Sequence, residues 1–517
     1  MLFQPLLRYR NHVAVDVAQA EQAELPCALI RAQEARDVVF LLMIGLARKC
    51  GELRALVHVI AVVAVGVPRK AHLRKMRAEA RGKGVLLRRV AQAEAHGFKD
   101  IATVASLKAG DKVYVQKMHK AVALFHIGTE NIERGMNILG AHIDSPRLDV
   151  KQNPLYERDF AVYLNTHYYG GIKKYQWVTL PLAIHGVVCK KDGTTVNVCI
   201  GEKADDPVFV ISDILPHLAQ KQMKESASDF ISGESLDLIV GSEPPAKDED
   251  AESDGDKKVE KDAAKKNVLK LLKDAYGIEE ADFGSAELEI VPAGAARDCG
   301  IDRSLILAYG QDDRSCAYTS ARALLEAQTG SRTAVCLCVD KEEIGSVGAT
   351  GMASHFFENA LAEVVARLAT CLKGAYSELT LRRALSNSNM LSSDVNAAYD
   401  PMNGDLYDRA NASFLGGGIV FNKYTGSRGK SGASDANPEF IARLRALLDG
   451  ADVRYQMAEL GKVDQGGGGT IAYLAAKYGM NVLDAGVAVL SMHAPWELTS
   501  RADIEQAYKA YKAFLTL

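Results

Sequence analysis

The chain has 517 residues, of which 48% are hydrophobic and 25% charged, and its formal net charge at pH 7 is −3. This length is enough for two or more domains with a sizeable core, and the composition is ordinary for a soluble globular protein. The nearly balanced charge argues against a general nucleic-acid-binding protein.

The cysteine content and the apolar runs bear on the compartment. Nine cysteines are few for this length, none is spaced as a CxxC pair, and Cys336 and Cys338 lie inside an apolar run that favours core packing. We therefore expect a reducing, cytoplasmic compartment. The N-terminus lacks a secretory signal pattern, and the apolar runs at 38–47 and 56–67 are shorter than the roughly 20 residues that cross a bilayer, so we expect no membrane partner.

Residues 1–85 are atypical of a folded domain. They are rich in Ala, Val and Arg, and the stretch 69–89 holds nine basic residues against one glutamate. Three interpretations are open: a basic arm for an acidic partner or a membrane surface, a poorly packed leader, or a segment from a misassigned start site or reading frame.

From about residue 86 the patterns become those of a folded protein. They predict a helix at 90–96 that ends at Gly97, strands at 111–116 and 121–127, and a further strand from Met136 to a polar cluster at His142 and Asp144.

Residues 151–297 have the features of a separate, β-rich module. Short apolar runs predict strands at 177–188, 196–200 and 208–211. The segment 242–266 is a low-complexity charged run that cannot bury apolar area, and we expect a mobile acidic loop.

Residues 298–517 alternate predicted strands and helices. The predicted strands are 305–309, 333–340 and 480–490, and the helices are 317–327, 356–372 and a last helix that begins with a capping box at Ser500 and Asp503. This alternation predicts an α/β fold with a mainly parallel sheet flanked by helices.

Polar residues follow several of these strands, where open α/β folds collect functional groups. They are His142 and Asp144, Asp312 and Asp313, Glu342 and Glu343, Asp394, and His493. The adjacent Glu342 and Glu343 should repel each other unless a cation lies beside them. Two imidazoles with several carboxylates form a ligand set for Zn²⁺, Mn²⁺ or Co²⁺. A single histidine at a strand end is usually structural, so the prediction rests on the five clusters occurring together.

Other catalytic patterns are missing from the sequence. There is neither an HExxH helix nor a GxSxG elbow, which argues against that zinc-protease class and against an α/β-hydrolase. The glycines at 466–469 lack the lysine of a phosphate-binding loop. They open a predicted helix whose N-terminus either binds a substrate carbonyl or carboxylate or only allows a close backbone crossing.

Five segments resemble, in sequence and in order, the motifs of the aspartyl aminopeptidase family of co-catalytic zinc exopeptidases, and especially its bacterial branch. They are Gly140–Lys151, Gly310–Cys316, Asp340–Ser346, Ser393–Asp394 and Ser491–His493. The likeness extends from about Val90 to the C-terminus. Residues 1–85 do not share it, which favours a misassigned start or frame for that segment.

The resemblance implies a metallo-aminopeptidase with two divalent metal ions, most often zinc, with manganese or cobalt as alternatives. The implied ligands are His142 and Asp394 for one ion, Glu343 and His493 for the other, and Asp312 as the bridge between them. Glu342 would act as general base, and Asp144 would orient His142. Two metals about 3.5–4 Å apart can lower the pKa of a shared water and polarise the scissile carbonyl, which suits such a site.

Family likeness also implies a zinc-exopeptidase-like catalytic domain formed by 86–150 and 298–517, with 151–297 as an inserted dimerisation domain. Dimers would assemble into a homo-oligomer, a dodecamer. His217 matches a family histidine that reaches the active site of a neighbouring subunit, and the alternative is a buried structural histidine.

The preferred substrate side chain is not predicted. Acid-specific relatives carry a lysine on the strand matching 417–423, whereas here Phe421 takes that position and Lys423 follows two residues later. Peptides are the expected substrates. The alternative functions are a deblocking aminopeptidase or an amidohydrolase on the same dinuclear scaffold, and a non-catalytic assembly protein.

Overall fold

The computed structural model describes residues 82–159, 161–245, 261–371, 374–426 and 428–517. The apolar runs, nearly all of the atypical segment 1–85 and much of the acidic loop 242–266 lie outside the described residues, and the predictions for them stay predictions. No helix in the described ranges is both long and apolar enough to cross a membrane.

Within the described ranges, twenty strands form three sheets. The strands are β1 (Lys99–Asp100), β2 (Lys112–Lys117), β3 (Ala121–His126), β4 (Met136–His142), β5 (Arg147–Arg158), β6 (Ala161–Tyr169), β7 (Leu182–Cys189), β8 (Thr195–Ile200), β9 (Leu238–Gly241), β10 (Ala286–Pro292), β11 (Arg297–Cys299), β12 (Leu305–Ala308), β13 (Thr333–Val339), β14 (Asn389–Ser392), β15 (Asn396–Ala397), β16 (Ile419–Asn422), β17 (Tyr455–Met457), β18 (Asn481–Gly486), β19 (Ala488–Leu490) and β20 (Glu497–Ser500).

Eight α-helices accompany these sheets in the same ranges. The helices are α1 (Gly82–Ala95), α2 (Ala263–Tyr276), α3 (Gln311–Leu325), α4 (Phe356–Cys371), α5 (Glu378–Ser386), α6 (Pro438–Gly450), α7 (Ala472–Ala476) and α8 (Arg501–Phe514).

The largest sheet has nine strands in the order β1-β2-β3-β13-β4-β14-β18-β16-β17. Its centre, β13-β4-β14-β18, is parallel, and β3 and β16 flank that centre in antiparallel orientation. Every residue of β4 and β13 is buried, as expected of continuous apolar runs covered on both faces. The parallel centre places the carboxyl ends of β13, β4 and β14 along one edge.

Helices cover this sheet. Side chains of α4, α5 and α7 join Val335 and Leu337 in one core cluster. Helix α3 contacts β4 and β13, and α8 packs on α3 through a buried stripe that includes Ala507, Tyr511 and Phe514. The chain is thus an α/β protein with mixed sheets, as predicted in outline.

A six-stranded, wholly antiparallel sheet, β8-β7-β10-β5-β6-β9, lies between Arg147 and Pro292 in sequence. It has a core of its own around the fully buried Trp177. All described residues belong to one compact unit, Met76–Leu517, so the division into catalytic and inserted domains stays a prediction.

The structure corrects two predictions about strands. The run 305–309 forms β12, but β12 belongs to a third, five-stranded sheet, β11-β12-β20-β19-β15, rather than to the main sheet. The run 480–490 breaks at Val487 into β18 and β19, which lie in different sheets. An apolar run indicates a buried strand but not its partner, which explains both differences.

Three further local predictions are wrong. Residues 208–211 make only isolated bridges, and α3 begins six residues before the predicted helix start at 317. Ser500 precedes α8 but makes no capping hydrogen bond with its side chain. The carboxylate of Asp503 instead accepts hydrogen bonds from the backbone amides of Gly416 and Gly418, so a tertiary contact replaces the local box.

Candidate metal centre

All five polar clusters meet at the carboxyl edge of the parallel strands. His142 ends β4, and Asp394 follows β14 by two residues. Glu342 and Glu343 open a single 3₁₀ turn after β13. The other two residues come from outside the main sheet: Asp312 lies in the first turn of α3, and His493 follows β19.

His142, Asp312 and Asp394 form the first group of close donor atoms. The Nε2 atom of His142 is 3.1 Å from Oδ1 of Asp312 and 3.8 Å from Oδ1 of Asp394. All three side chains are largely buried.

Asp312, Glu343 and His493 form the second group. The Nε2 atom of His493 is 3.3 Å from Oδ2 of Asp312 and 3.5 Å from Oε2 of Glu343. The two oxygens of Asp312 therefore point into different groups, as a bridging carboxylate requires.

The donor set and spacing fit zinc. Nitrogen and oxygen ligands bind Zn²⁺ at about 2.0–2.2 Å, which places two tetrahedral ligands about 3.3–3.5 Å apart. The two separations in the second group, 3.3 and 3.5 Å, lie in this range, and the two in the first group, 3.1 and 3.8 Å, lie within 0.3 Å of it. In addition, the buried Oε1 atom of Glu343 has no hydrogen-bond partner among the described residues.

The ring nitrogens are arranged for coordination through Nε2. The Nδ1 atom of His493 donates a hydrogen bond to the carbonyl oxygen of Gly171 over 2.9 Å. The Nδ1 atom of His142 lies 3.1 Å from the backbone oxygen of Asp144 and 3.3 Å from its carboxylate. A partner that holds the proton on Nδ1 leaves the Nε2 lone pair for a metal.

The pKa values show a site short of positive charge. Burial raises the pKa of Glu343 well above its ordinary value, and the charge of Asp312 adds to this. Burial also raises the pKa of Asp394. Burial opposes the charged form of His493, but a hydrogen bond that its ring donates to Asp312 and the charge of Glu343 raise its pKa to about 10. A divalent cation would supply positive charge beside these carboxylates.

Glu342 differs from its neighbour Glu343. It belongs to neither donor group, and its backbone amide donates to Oδ1 of Asp144 over 3.2 Å. Burial raises the pKa of Glu342 to about 8; the nearby His142 opposes this shift and the charge of Asp394 reinforces it. The two adjacent glutamates thus occupy different environments within the same site.

The backbone near the second donor group is strained. Lys341, directly before Glu342, has a φ of 66°, and His493 has a φ of 64°. Residues other than glycine rarely adopt this left-handed backbone conformation, and those that do cluster at functional sites. The peptide bond between Asp312 and Asp313 is cis.

Sequence reasoning missed Glu497, a fully buried glutamate in β20. Its carboxylate accepts hydrogen bonds from the backbone amides of Asp312 (3.1 Å) and His493 (2.8 Å). It therefore fixes the backbone of both second-group residues that come from outside the main sheet. The one feature of the sequence that could have indicated Glu497 is a carboxylate within a short run with strand character, because a buried carboxylate needs hydrogen-bond partners.

Two predicted positions lie apart from the donor groups. His217 is exposed, so the alternative of a buried structural histidine is wrong. Phe421 is buried with its ring centroid 5.8 Å from that of Tyr455, whereas Lys423 is exposed. The position that the sequence matches to the lysine of acid-specific relatives is therefore part of the core.

Comparisons with known proteins agree with this geometry. Residues 86–515 match the family Aminopeptidase I zinc metalloprotease (M18). A probable M18 family aminopeptidase 1 of Clostridium acetobutylicum is 57% identical over 427 residues, covering 82% of this chain and 89% of that protein. One from Thermotoga maritima is 46% identical over 420 residues, covering 81% and 89%.

Two solved structures share the fold. The crystal structure of an M18 family aminopeptidase from Thermotoga maritima has a TM-score of 0.80 and 43% identity, covering 86% of this chain and 95% of that one. Aminopeptidase I from Clostridium acetobutylicum has a TM-score of 0.79 and 52% identity, covering 86% and 94%. The resemblance inferred from the motifs is confirmed, and the chain belongs to the M18 family of zinc metallo-aminopeptidases.

Proposed function

We propose that the two donor groups hold a pair of divalent ions, zinc in the first place, with manganese or cobalt as alternatives. The observation that carries this proposal is the position of Asp312, whose two oxygens each belong to a different group. With Asp312, His142 and Asp394 coordinate one ion, and Glu343 and His493 coordinate the other.

The residues of the chain then divide the work of hydrolysing the first peptide bond of a substrate. When bound, the metal pair polarises the scissile carbonyl and lowers the pKa of a water molecule. The carboxylate of Glu342 accepts the proton of the attacking water and passes it to the leaving amine. Asp144 keeps the proton of His142 on Nδ1. The family assignment favours this aminopeptidase function over an amidohydrolase or a non-catalytic protein.

We also propose that the chain works as a homo-oligomer of dimers, as large as a dodecamer, through the inserted module 151–297. His217 lies in a segment with exposed apolar side chains, among them Ile214, Leu215 and Leu218. Contiguous exposed apolar surface is typical of a protein–protein interface. In this arrangement His217 reaches the active site of a neighbouring copy. A cytoplasmic location stays a prediction from the sequence.

Replacing Glu342 by glutamine tests the general base. We expect Glu342→Gln to retain bound zinc and to lose about 10²- to 10⁴-fold in kcat, because the amide cannot accept the proton. The rates are measured on aminoacyl substrates with Asp, Glu, Leu and Lys side chains, with free and with acylated amines. The exposed Glu378→Gln is the matched control, and wild-type activity in Glu342→Gln would exclude this mechanism.

The raised pKa of Glu342 predicts a pH dependence of the metal-free protein. The unfolded chain ionises this group near pH 4.5 and the folded protein near pH 8, so the folded state binds more protons between these values. Stability of the wild type should therefore fall, relative to Glu342→Gln, as the pH rises from about 4.5 to about 8, and level off above. Urea unfolding of the wild type and of Glu342→Gln, both freed of metal with a chelator, measures the difference in their free energies of unfolding from pH 5 to 9. If this difference does not change with pH, the raised pKa of Glu342 is contradicted.

A shared active site predicts complementation between two inactive variants. His217→Ala and Glu342→Gln should each be nearly inactive as homo-oligomers. In a co-expressed mixture, some sites combine Glu342 of one chain with His217 of the other, and activity should return. Co-expression of Glu342→Gln with itself under two tags is the control, and a mixture that assembles but stays inactive would contradict a role for His217 across subunits.

A further inference from the structure

The end of β6 reaches the metal centre from the second sheet. The hydroxyl of Tyr169 donates to Oδ2 of Asp144 over 2.8 Å. Gly170 packs so closely that a Cβ there would lie 3.3 Å from Cβ of Glu343. The carbonyl oxygen of Gly171 accepts the hydrogen bond from Nδ1 of His493. Three consecutive residues thus contact three different parts of the site.

Asp144 connects Tyr169 with both donor groups. Its carboxylate accepts hydrogen bonds from the backbone amides of Glu342 and Glu343, each over 3.2 Å. It also lies 3.3 Å from Nδ1 of His142. Tyr169 is the one side-chain hydroxyl among these contacts, and Asp144 is nearly inaccessible to solvent. Without that hydroxyl, a buried carboxylate oxygen would lose a donor that water cannot readily replace.

The ring of Tyr169 is itself held in place. The guanidinium carbon of Arg147 lies 3.7 Å from the ring centroid, and the two residues are paired between β5 and β6. Arg147 in turn donates to Asp149 over 2.7 Å and lies 3.5 Å from Glu289 of β10. Three strands of the second sheet therefore fix the direction of the Tyr169 hydroxyl.

We propose that Tyr169–Gly171 is a positioning element through which the second sheet sets the metal affinity of the centre, and that Tyr169 is a positioning residue within it. This inference rests on the proposed function, since it takes the donor groups as the zinc site. Partners of metal ligands usually change metal affinity by about 10- to 100-fold when they are removed. The second sheet is thus a part of the metal site as well as a predicted interface.

The test replaces Tyr169 by phenylalanine, which keeps the ring and its stacking on Arg147. We expect the zinc dissociation constant of Tyr169→Phe to rise about 10-fold in competition with a chromophoric chelator, the lower end of the range for direct partners of ligands, because Tyr169 acts through Asp144. At limiting zinc kcat should fall while KM stays within about twofold, and saturating zinc should restore most of kcat. Because zinc binding also stabilises the folded state, the dissociation constants are measured under conditions in which each metal-free variant is folded.

Tyr156→Phe is the matched control. It removes another tyrosine–aspartate hydrogen bond, to Asp237, within the same sheet. A general loosening of the sheet would raise the zinc dissociation constant of both variants, and this result would overturn the proposal. Wild-type zinc affinity in Tyr169→Phe would overturn it as well.

A second variant keeps the test decisive if Tyr169→Phe fails to fold. Gly170 has a φ of 77°, and an added methyl group would press on Glu343, so Gly170→Ala should also weaken zinc binding. Wild-type affinity in Gly170→Ala would count against the positioning element. His142→Ala distinguishes a failure of the proposed metal site from a failure of the positioning element. If wild type and His142→Ala bind zinc equally, the proposed metal site itself is wrong. If only His142→Ala differs from wild type, the site stands and the positioning element does not.

Discussion

The centre depends on one carboxylate, Asp312, being held between two imidazoles. Its oxygens face His142 on one side and His493 on the other, and two further carboxylates complete the groups. Anionic groups so close together are unfavourable in a buried site unless positive charge balances them. The protein supplies the rigidity that keeps Asp312 there, and a bound divalent cation would supply the charge.

That rigidity has identifiable sources. Glu497 accepts a hydrogen bond from the backbone amide of Asp312. The hydroxyl of Ser145 donates a hydrogen bond to the backbone oxygen of Asp312 over 2.6 Å. The helix that begins here, α3, is almost wholly buried and packs on α8. A carboxylate fixed by its own backbone contacts can present both oxygens outward, which a mobile side chain cannot do reproducibly.

The sequence allowed the residues that we propose as metal ligands to be predicted better than their surroundings. Each ligand follows an apolar run or opens a helix, so local pattern and strand polarity suffice to suggest that His142, Glu343 and Asp394 meet. The partners of these ligands could not be predicted in this way. Tyr169 and Glu497 reach the site from other sheets, and their sequence positions carry no periodic signal. The same limit explains why β12 was placed in the wrong sheet, since an apolar run does not specify its neighbour.

An anomalous difference map at the zinc absorption edge, from crystals of the zinc-loaded protein, would show whether Asp312 lies between two ions. We expect two peaks about 3.5–4 Å apart on opposite sides of the Asp312 carboxylate. One peak should lie against His142 and Asp394, and the other against Glu343 and His493. A single peak, or peaks away from Asp312, would contradict a shared bridging carboxylate.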